Sequence, residues 1–252
     1  LTANRLRVKV PCGRRNFPTA VPLTDVPAPI LGVAQGERPE DWCLAGSFAA
    51  GSRLKVIGVQ ADVEESGPLF VRYRVTYTFQ KGQQYAVVLT LDHNERHVTV
   101  DEFLGGVAPQ DEAYLEIDIA GVDPDHREVM TNGGYGSQGY CGAFDKKLGE
   151  DGLLPYELGL NRPNPMGVMR ATADGHSLLL CCYRLRDWKT VYRHVWYSNT
   201  GPGNLRFYSR DGRKFLRTRL EGHQRHWAVS LIPRDQQLHI RNTPGTGAAA
   251  TS

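Results

Sequence analysis

Aromatic side chains crowd the glycine-rich and turn-forming stretches of this chain. Tyr135 and Tyr140 lie within Gly133-Gly134-Tyr135-Gly136-Ser137-Gln138-Gly139-Tyr140, and Tyr156, Trp188, Trp196 and Tyr197 follow downstream. A ring with a polar edge suits a ligand that has apolar C–H faces and a rim of hydroxyls, which describes a sugar. Core packing is the competing use, above all for Trp196 and Trp227, because Trp is mostly buried in folded proteins. Groups able to move protons stand beside these rings. His194 shares a strand face with Tyr192 and Trp196, where it can act as a general base, bind a hydroxyl or serve the structure alone. Arg186 and Asp187 directly precede Trp188. If the chain is catalytic, Glu157, His194 and Tyr140 are the candidates for proton transfer. Trp188, Tyr135, Arg186, Asp187 and Trp196 are then the candidates for holding substrate.

Carboxylates are plentiful: Asp101, Glu102, Glu116, Asp118, Asp123, Asp125, Asp145, Glu157 and Asp187. Cleaving a glycosidic bond needs two of them facing across it, about 5–5.5 Å or 6.5–9.5 Å apart. Glu157 and Asp187 are favoured by their aromatic neighbours. Metal chemistry has less support. His93 and His97 have an HxxxH spacing that works on a helix, but on a strand they stand roughly 13 Å apart at ~3.3 Å per residue. His223 and His226 can converge near a turn, yet no third ligand accompanies them. No cofactor is expected, and a structural calcium held by carboxylates stays open. Cys12, Cys43, Cys141, Cys181 and Cys182 form no CxxC pair, which leaves a Cys12–Cys43 bridge open. GxxxxGK[ST], GxSxG and HExxH are all absent, which disfavours P-loop nucleotide, serine-hydrolase and zincin readings.

The elements that must carry these groups alternate with a period of two. In Phe70–Phe79, Val71, Tyr73, Val75, Tyr77 and Phe79 take one face, while Arg72, Arg74, Thr76 and Thr78 take the other. A Lys81-Gly82 turn leads to Tyr85, Val87, Leu89 and Leu91, which predicts a hairpin. Val98, Val100 and Glu102 then oppose His97, Thr99, Asp101 and Phe103. Strands are also expected at Arg5–Val10, Trp42–Phe48, Leu54–Val63 and around Leu115–Ile119. The second half predicts Val168–Thr172, Ser177–Arg184, Thr190–Tyr197, Leu205–Tyr208, Phe215–Leu220 and His226–Ile232, with Asp211-Gly212 as a turn. No stretch keeps a helical stripe, so the expected fold is all-β, a large antiparallel sandwich of supersandwich or jelly-roll type with long Pro/Gly-rich loops. One domain is expected over 1–241. Residues 1–41 are read as an extended arm, with Pro11–Pro39 lying as coil over the sheet, and 242–252 as a flexible tail. Val122–Pro165 is too rich in glycine for regular strand and is read as a long, functional loop.

Composition narrows the partners. The 252 residues carry a net charge of +3, with 40% apolar and 23% charged side chains, an ordinary balance for a folded domain. Arg and Lys alternate with apolar residues, as in Val71-Arg72-Tyr73-Arg74-Val75, which describes a solvated strand face and argues against nucleic acid. No apolar run approaches the ~20 residues of a membrane helix. The N-terminal residues show no signal-peptide pattern.

Several stretches resemble a known architecture. Gly67-Pro68-Leu69-Phe70-Val71-Arg72-Tyr73-Arg74-Val75-Thr76-Tyr77-Thr78-Phe79, Tyr85–Leu91 and Val98-Thr99-Val100-Asp101-Glu102 carry part of the likeness. Leu154–Leu160, Met166–Ala171, Tyr183–Trp188 and His226-Trp227-Ala228-Val229 carry the rest. Together they resemble the β-sandwich (supersandwich, galactose-mutarotase-like) domains of bacterial polysaccharide hydrolases and lyases, over roughly residues 50–235. The resemblance is one of strand rhythm, and no motif maps onto a catalytic set. It implies a carbohydrate-active sandwich that binds a polysaccharide or oligosaccharide and, if enzymatic, cleaves it by hydrolysis or elimination. It also implies a secreted or periplasmic setting, and either a further catalytic domain or a homo-oligomer as partner. A non-catalytic carbohydrate-binding module and a jelly-roll shell subunit are the alternatives.

Overall fold

Alternating apolar and polar side chains, with β-branched and aromatic residues at the apolar positions, drive this chain into strands. The computed structural model describes residues 1–3, 6–35, 42–50, 53–95, 97–107, 111–118, 127–132, 140–143, 166–172, 176–183, 206–210, 213–220 and 224–233. Its strands are β1 (Thr2–Ala3), β2 (Leu6–Lys9), β3 (Gly13–Pro22), β4 (Gly32–Gln35), β5 (Trp42–Ala50), β6 (Lys55–Ser66), β7 (Phe70–Phe79), β8 (Gln84–Asp92) and β9 (Val98–Gly105). They continue with β10 (Ala113–Asp118), β11 (Arg127–Asn132), β12 (Tyr140–Ala143), β13 (Met166–Thr172), β14 (His176–Tyr183), β15 (Arg206–Arg210), β16 (Arg213–Arg219) and β17 (Gln224–Pro233). A 3-10 turn lies at Leu23–Asp25.

Two antiparallel sheets result, which is the expected all-β sandwich. The smaller has seven strands in the order β1-β2-β4-β5-β10-β16-β15, and the larger has ten in the order β12-β11-β13-β14-β17-β9-β8-β7-β6-β3. The strands from β6 to β9 form a meander, so neighbours in sequence are neighbours in space. By contrast, β17 returns to lie beside β9 after most of the second half of the chain has intervened. The β7–β8 hairpin has the expected Gly82 at φ 82°, a left-handed conformation that glycine adopts without steric penalty.

The core lies between the sheets. Leu6, Val8, Leu44, Phe48, Leu115 and Ile117 come from the smaller one, and Val75, Tyr77, Phe79, Tyr85, Val87 and Leu89 from the larger. Phe48 of β5 crosses the gap, meeting Tyr77 edge-on at 5.2 Å and Tyr85 at 6.2 Å, while the two tyrosines stack at 5.6 Å. Such pairs add about 0.5–1.5 kcal/mol each beyond the area they bury. The face assignment expected for β7 holds: Tyr73, Val75, Tyr77 and Phe79 are buried, and the residues between them are not.

The N-terminal region differs from the expected coil. Residues 13–22 form β3 on the edge of the larger sheet, and residues 32–35 form β4 inside the smaller one. Pro18 and Pro22 suggest coil because proline cannot complete a ladder, but an edge strand tolerates them. The β3–β6 register shifts between Asn16 and Val21, around Pro18. Between these strands, Val26, Ala28 and Ile30 are buried in the core. Two short strands, β11 and β12, also occur within the glycine-rich stretch read as loop. Cys12 is a free, exposed cysteine, so no Cys12–Cys43 bridge forms.

Candidate functional site

Adjacent residues on a strand point to opposite faces, so one antiparallel pairing can build two different clusters back to back. β9 carries Asp101-Glu102-Phe103 and β17 carries Arg225-His226-Trp227. Their register sets Arg225 opposite Glu102 and His226 opposite Asp101. One pair faces the other sheet, and its neighbour faces outward.

The inner cluster is buried and densely bonded. Glu102 Oε1 accepts a hydrogen bond from the Tyr85 hydroxyl at 2.5 Å, and Oε2 accepts one from Trp227 Nε1 at 2.9 Å. Oε2 also lies 2.8 Å from the Arg225 guanidinium. Arg225 Nη1 then donates to Thr218 Oγ1 at 2.8 Å and to the Arg219 carbonyl at 2.5 Å. Thr218 and Arg219 belong to β16, so the arginine ties the larger sheet to the smaller. Burial pushes the Tyr85 phenol well above its ordinary pKa, with the Glu102 charge adding to the effect. Glu102 and Arg225 are 0% and 1% exposed. A cluster sealed this way holds the sandwich together and offers nothing to a ligand.

The outer cluster is accessible. His226 Nδ1 stands 2.5 Å from Asp101 Oδ1, with the two side chains 27% and 25% exposed. The carboxylate thus faces the Nδ1 side of the ring. Two residues along β9 on the same face, the Phe103 ring is 37% exposed. The Arg74 guanidinium reaches from β7 over β8 to within 5.8 Å of that ring's centroid. Glu64 grips the same arginine, at 2.9 Å from Nε and 2.8 Å from Nη2. Val88, paired between Arg74 and Asp101, is buried. The outer face thus brings an aromatic ring, a carboxylate–imidazole pair and an arginine close together on neighbouring strands.

Glu157, His194, Trp188, Tyr135, Arg186, Asp187 and Trp196 lie outside the described residues. Tyr140 is described only as the first residue of β12, paired with Thr131. His93 and His97 sit on the β8–β9 connection, not on a strand, and His97 Nδ1 faces Glu95 at 3.6 Å. His226 is within β17, past the turn where it was expected to converge with His223.

Sequence reasoning did not find the partnership of Asp101 with His226, which stand 125 residues apart. Alternation did indicate half of it. It placed Asp101 and Phe103 on one face and Glu102 with Val98 and Val100 on the other, which already marks Glu102 as a buried carboxylate in need of a partner. The missing signal is that β17 is the neighbour of β9, and neither strand encodes that alone.

No protein-family model matches the chain, and no curated protein matches it. Among solved structures, the alpha-N-acetylgalactosaminidase NagBb from Bifidobacterium bifidum, in complex with GalNAc, is similar with a TM-score of 0.43 and 9% sequence identity. The similarity covers 92% of this chain and 35% of that one.

Proposed function

We propose that this chain is a carbohydrate-active β-sandwich that engages a polysaccharide on the outer face of its ten-stranded sheet. The observation that supports this most is the placement of the half-exposed Phe103 ring on the same face as the Asp101–His226 pair. An aromatic plate takes the C–H face of a sugar, and fixed polar groups beside it take the hydroxyls. Strand-borne side chains hold such a geometry better than loops do. The aromatic and polar residues Trp188, Tyr135, Arg186, Asp187 and Trp196 are proposed as further contacts. In a catalytic form, Glu157, His194 and Tyr140 are the proposed proton-transfer groups.

The test is a panel of neutral and acidic polysaccharides, with pull-down on insoluble polymers beside assays for new reducing ends and for unsaturated products. Binding that falls about tenfold in Phe103→Ala, as expected for loss of one ring contact, supports the reading. New reducing ends alone identify a hydrolase, and unsaturated products a lyase. Binding without turnover identifies a carbohydrate-binding module. A defined oligomer with no affinity for any glycan overturns the proposal in favour of an assembly protein.

A further inference from the structure

The surface around Phe103 continues across the sheet. Resting on the reading above, we infer that its ligand is a linear glycan of about four or five sugar units, laid across the strands from Phe103 toward Arg14.

The strand registers define the path. Phe103 pairs with Ala86, Ala86 with Thr76, Thr76 with Gln60, and Gln60 with Arg14. These side chains stand in one row over β9, β8, β7, β6 and β3. Each is half-buried or exposed, whereas Leu104, Tyr85, Tyr77 and Val59, beside them in sequence, are buried. Four steps of about 4.8 Å separate the ends of the row, or about 19 Å. A pyranose unit in a linear chain advances by a similar step. Neighbouring strands rotate by roughly 20°, so the row turns as it crosses and suits a chain that can rotate at each linkage.

Chemistry sets this lane apart from the rest of the face. The next row toward the β7–β8 turn is Asn16, Gly58, Thr78, Gln84 and Gly105. Together the two rows offer amides, hydroxyls and bare backbone, with Arg14 at one end as their single ionisable side chain. The row on the other side carries Asp62, Arg74, Asp101 and His226. Covering charges is costly, whereas amides and hydroxyls exchange water for sugar hydroxyls at little net cost. Ala86, Gly58 and Gly105 keep the lane low, so a chain resting on the Phe103 ring is not lifted away. Gln60 is restrained beforehand, since its Nε2 donates to Asp62 at 2.9 Å. Arg14 makes no ion pair with another described residue, unlike Arg72 and Arg74, which Glu64 and Glu65 hold. Its fork can donate to hydroxyls at the far end.

The test is isothermal titration of the full chain with oligosaccharides of graded length, from disaccharides to hexasaccharides, of glucan, mannan, galactan and polyuronate types. At least one series should bind, its affinity rising about tenfold or more from disaccharide to pentasaccharide and then levelling. Phe103→Ala should weaken every length. Gln60→Ala and Arg14→Gln should each weaken the pentasaccharide about threefold to tenfold, one hydrogen bond apiece, and leave the disaccharide unchanged. Both positions are exposed, and thermal melts check that the variants fold. Thr99→Val alters the outer face of β9 along the strand instead of across it, and should change neither length. Equal affinity at all lengths overturns the extended site while leaving glycan binding intact. Undiminished length dependence in both Gln60→Ala and Arg14→Gln, or its loss in Thr99→Val, overturns the path. No binding in any series overturns the glycan reading itself, and this inference with it.

Discussion

Glu102 and Arg225 stand opposite each other on neighbouring strands, and their carboxylate and guanidinium meet at 2.8 Å where solvent does not reach. Burying both charges costs desolvation energy that the pair recovers only if its remaining atoms are hydrogen-bonded. Here Tyr85 and Trp227 bond the carboxylate, and Thr218 and the Arg219 carbonyl accept from Arg225 Nη1.

Removing one partner should therefore cost far more than removing both. Glu102→Gln is expected to lose about 3–5 kcal/mol, because it strands a buried guanidinium. Glu102→Gln combined with Arg225→Met should lose clearly less than the sum of the single changes. Urea denaturation of the four proteins gives the coupling directly. Additivity within about 0.5 kcal/mol would show that the two charges do not depend on each other.

Gly46 is expected to be the least replaceable glycine among those described. A Cβ built there would stand 1.7 Å from the Ile30 carbonyl oxygen, and that oxygen is backbone in a buried segment. The obstacle is steric, since nothing about the backbone angles at Gly46 demands glycine. Gly46→Ala should cost more than about 3 kcal/mol, in the range of severe core lesions, and reduce the soluble yield. Gly58→Ala is the control. Its nearest atom is Asn16 Oδ1 at 3.4 Å, a side-chain end that can move, so its melting temperature should stay close to wild type. Equal melting temperatures for the two variants would refute the close approach.

Much of this fold could be read from particular residues. Tyr73, Val75, Tyr77 and Phe79 alternate with polar neighbours, and Lys81-Gly82 marks the turn, so β7 and β8 follow from local rules alone. The same alternation turned Glu102 inward. Residues 13–22 misled because Pro18 and Pro22 obey the rule for coil and the rule for edge strands equally well. The outer site was legible only in pieces: Asp101 and His226 each carry a chemical side chain, but the β9–β17 pairing that joins them is set by the packing of the whole sheet. Long-range pairing of this kind leaves no mark on a short window of sequence.

Alkaline pH should destabilise the protein through its buried tyrosines. Burial raises the Tyr77 and Tyr85 phenols well above their ordinary value of 10.0. The native state thus keeps protons that the unfolded chain releases, so stability is complete below that value and falls as pH rises beyond it. Tyr77 also donates to the Pro27 carbonyl at 2.8 Å. Tyr77→Phe should cost about 1 kcal/mol at neutral pH for that bond, yet lose less than wild type between about pH 10 and 11. Melting temperatures across that window decide it, and parallel decline in both proteins would exclude Tyr77 as a contributor.

Acid acts through a different residue. His97 is partly buried on the β8–β9 connection, and its pKa is lowered from 6.5 mainly by that burial, with Glu95 and Asp92 pulling the other way. The unfolded chain therefore takes up this proton more readily than the native state. Its contribution to stability is present above 6.5 and disappears as pH falls through the folded value. His97→Gln removes the titration while keeping a polar side chain that can still reach Glu95. Between about pH 7 and pH 5, the melting temperature of wild type should fall by more than that of the variant. Glu95→Gln should steepen the wild-type fall, because it deletes a charge that favours the imidazolium. If wild type and His97→Gln decline together, the acid sensitivity belongs to other groups.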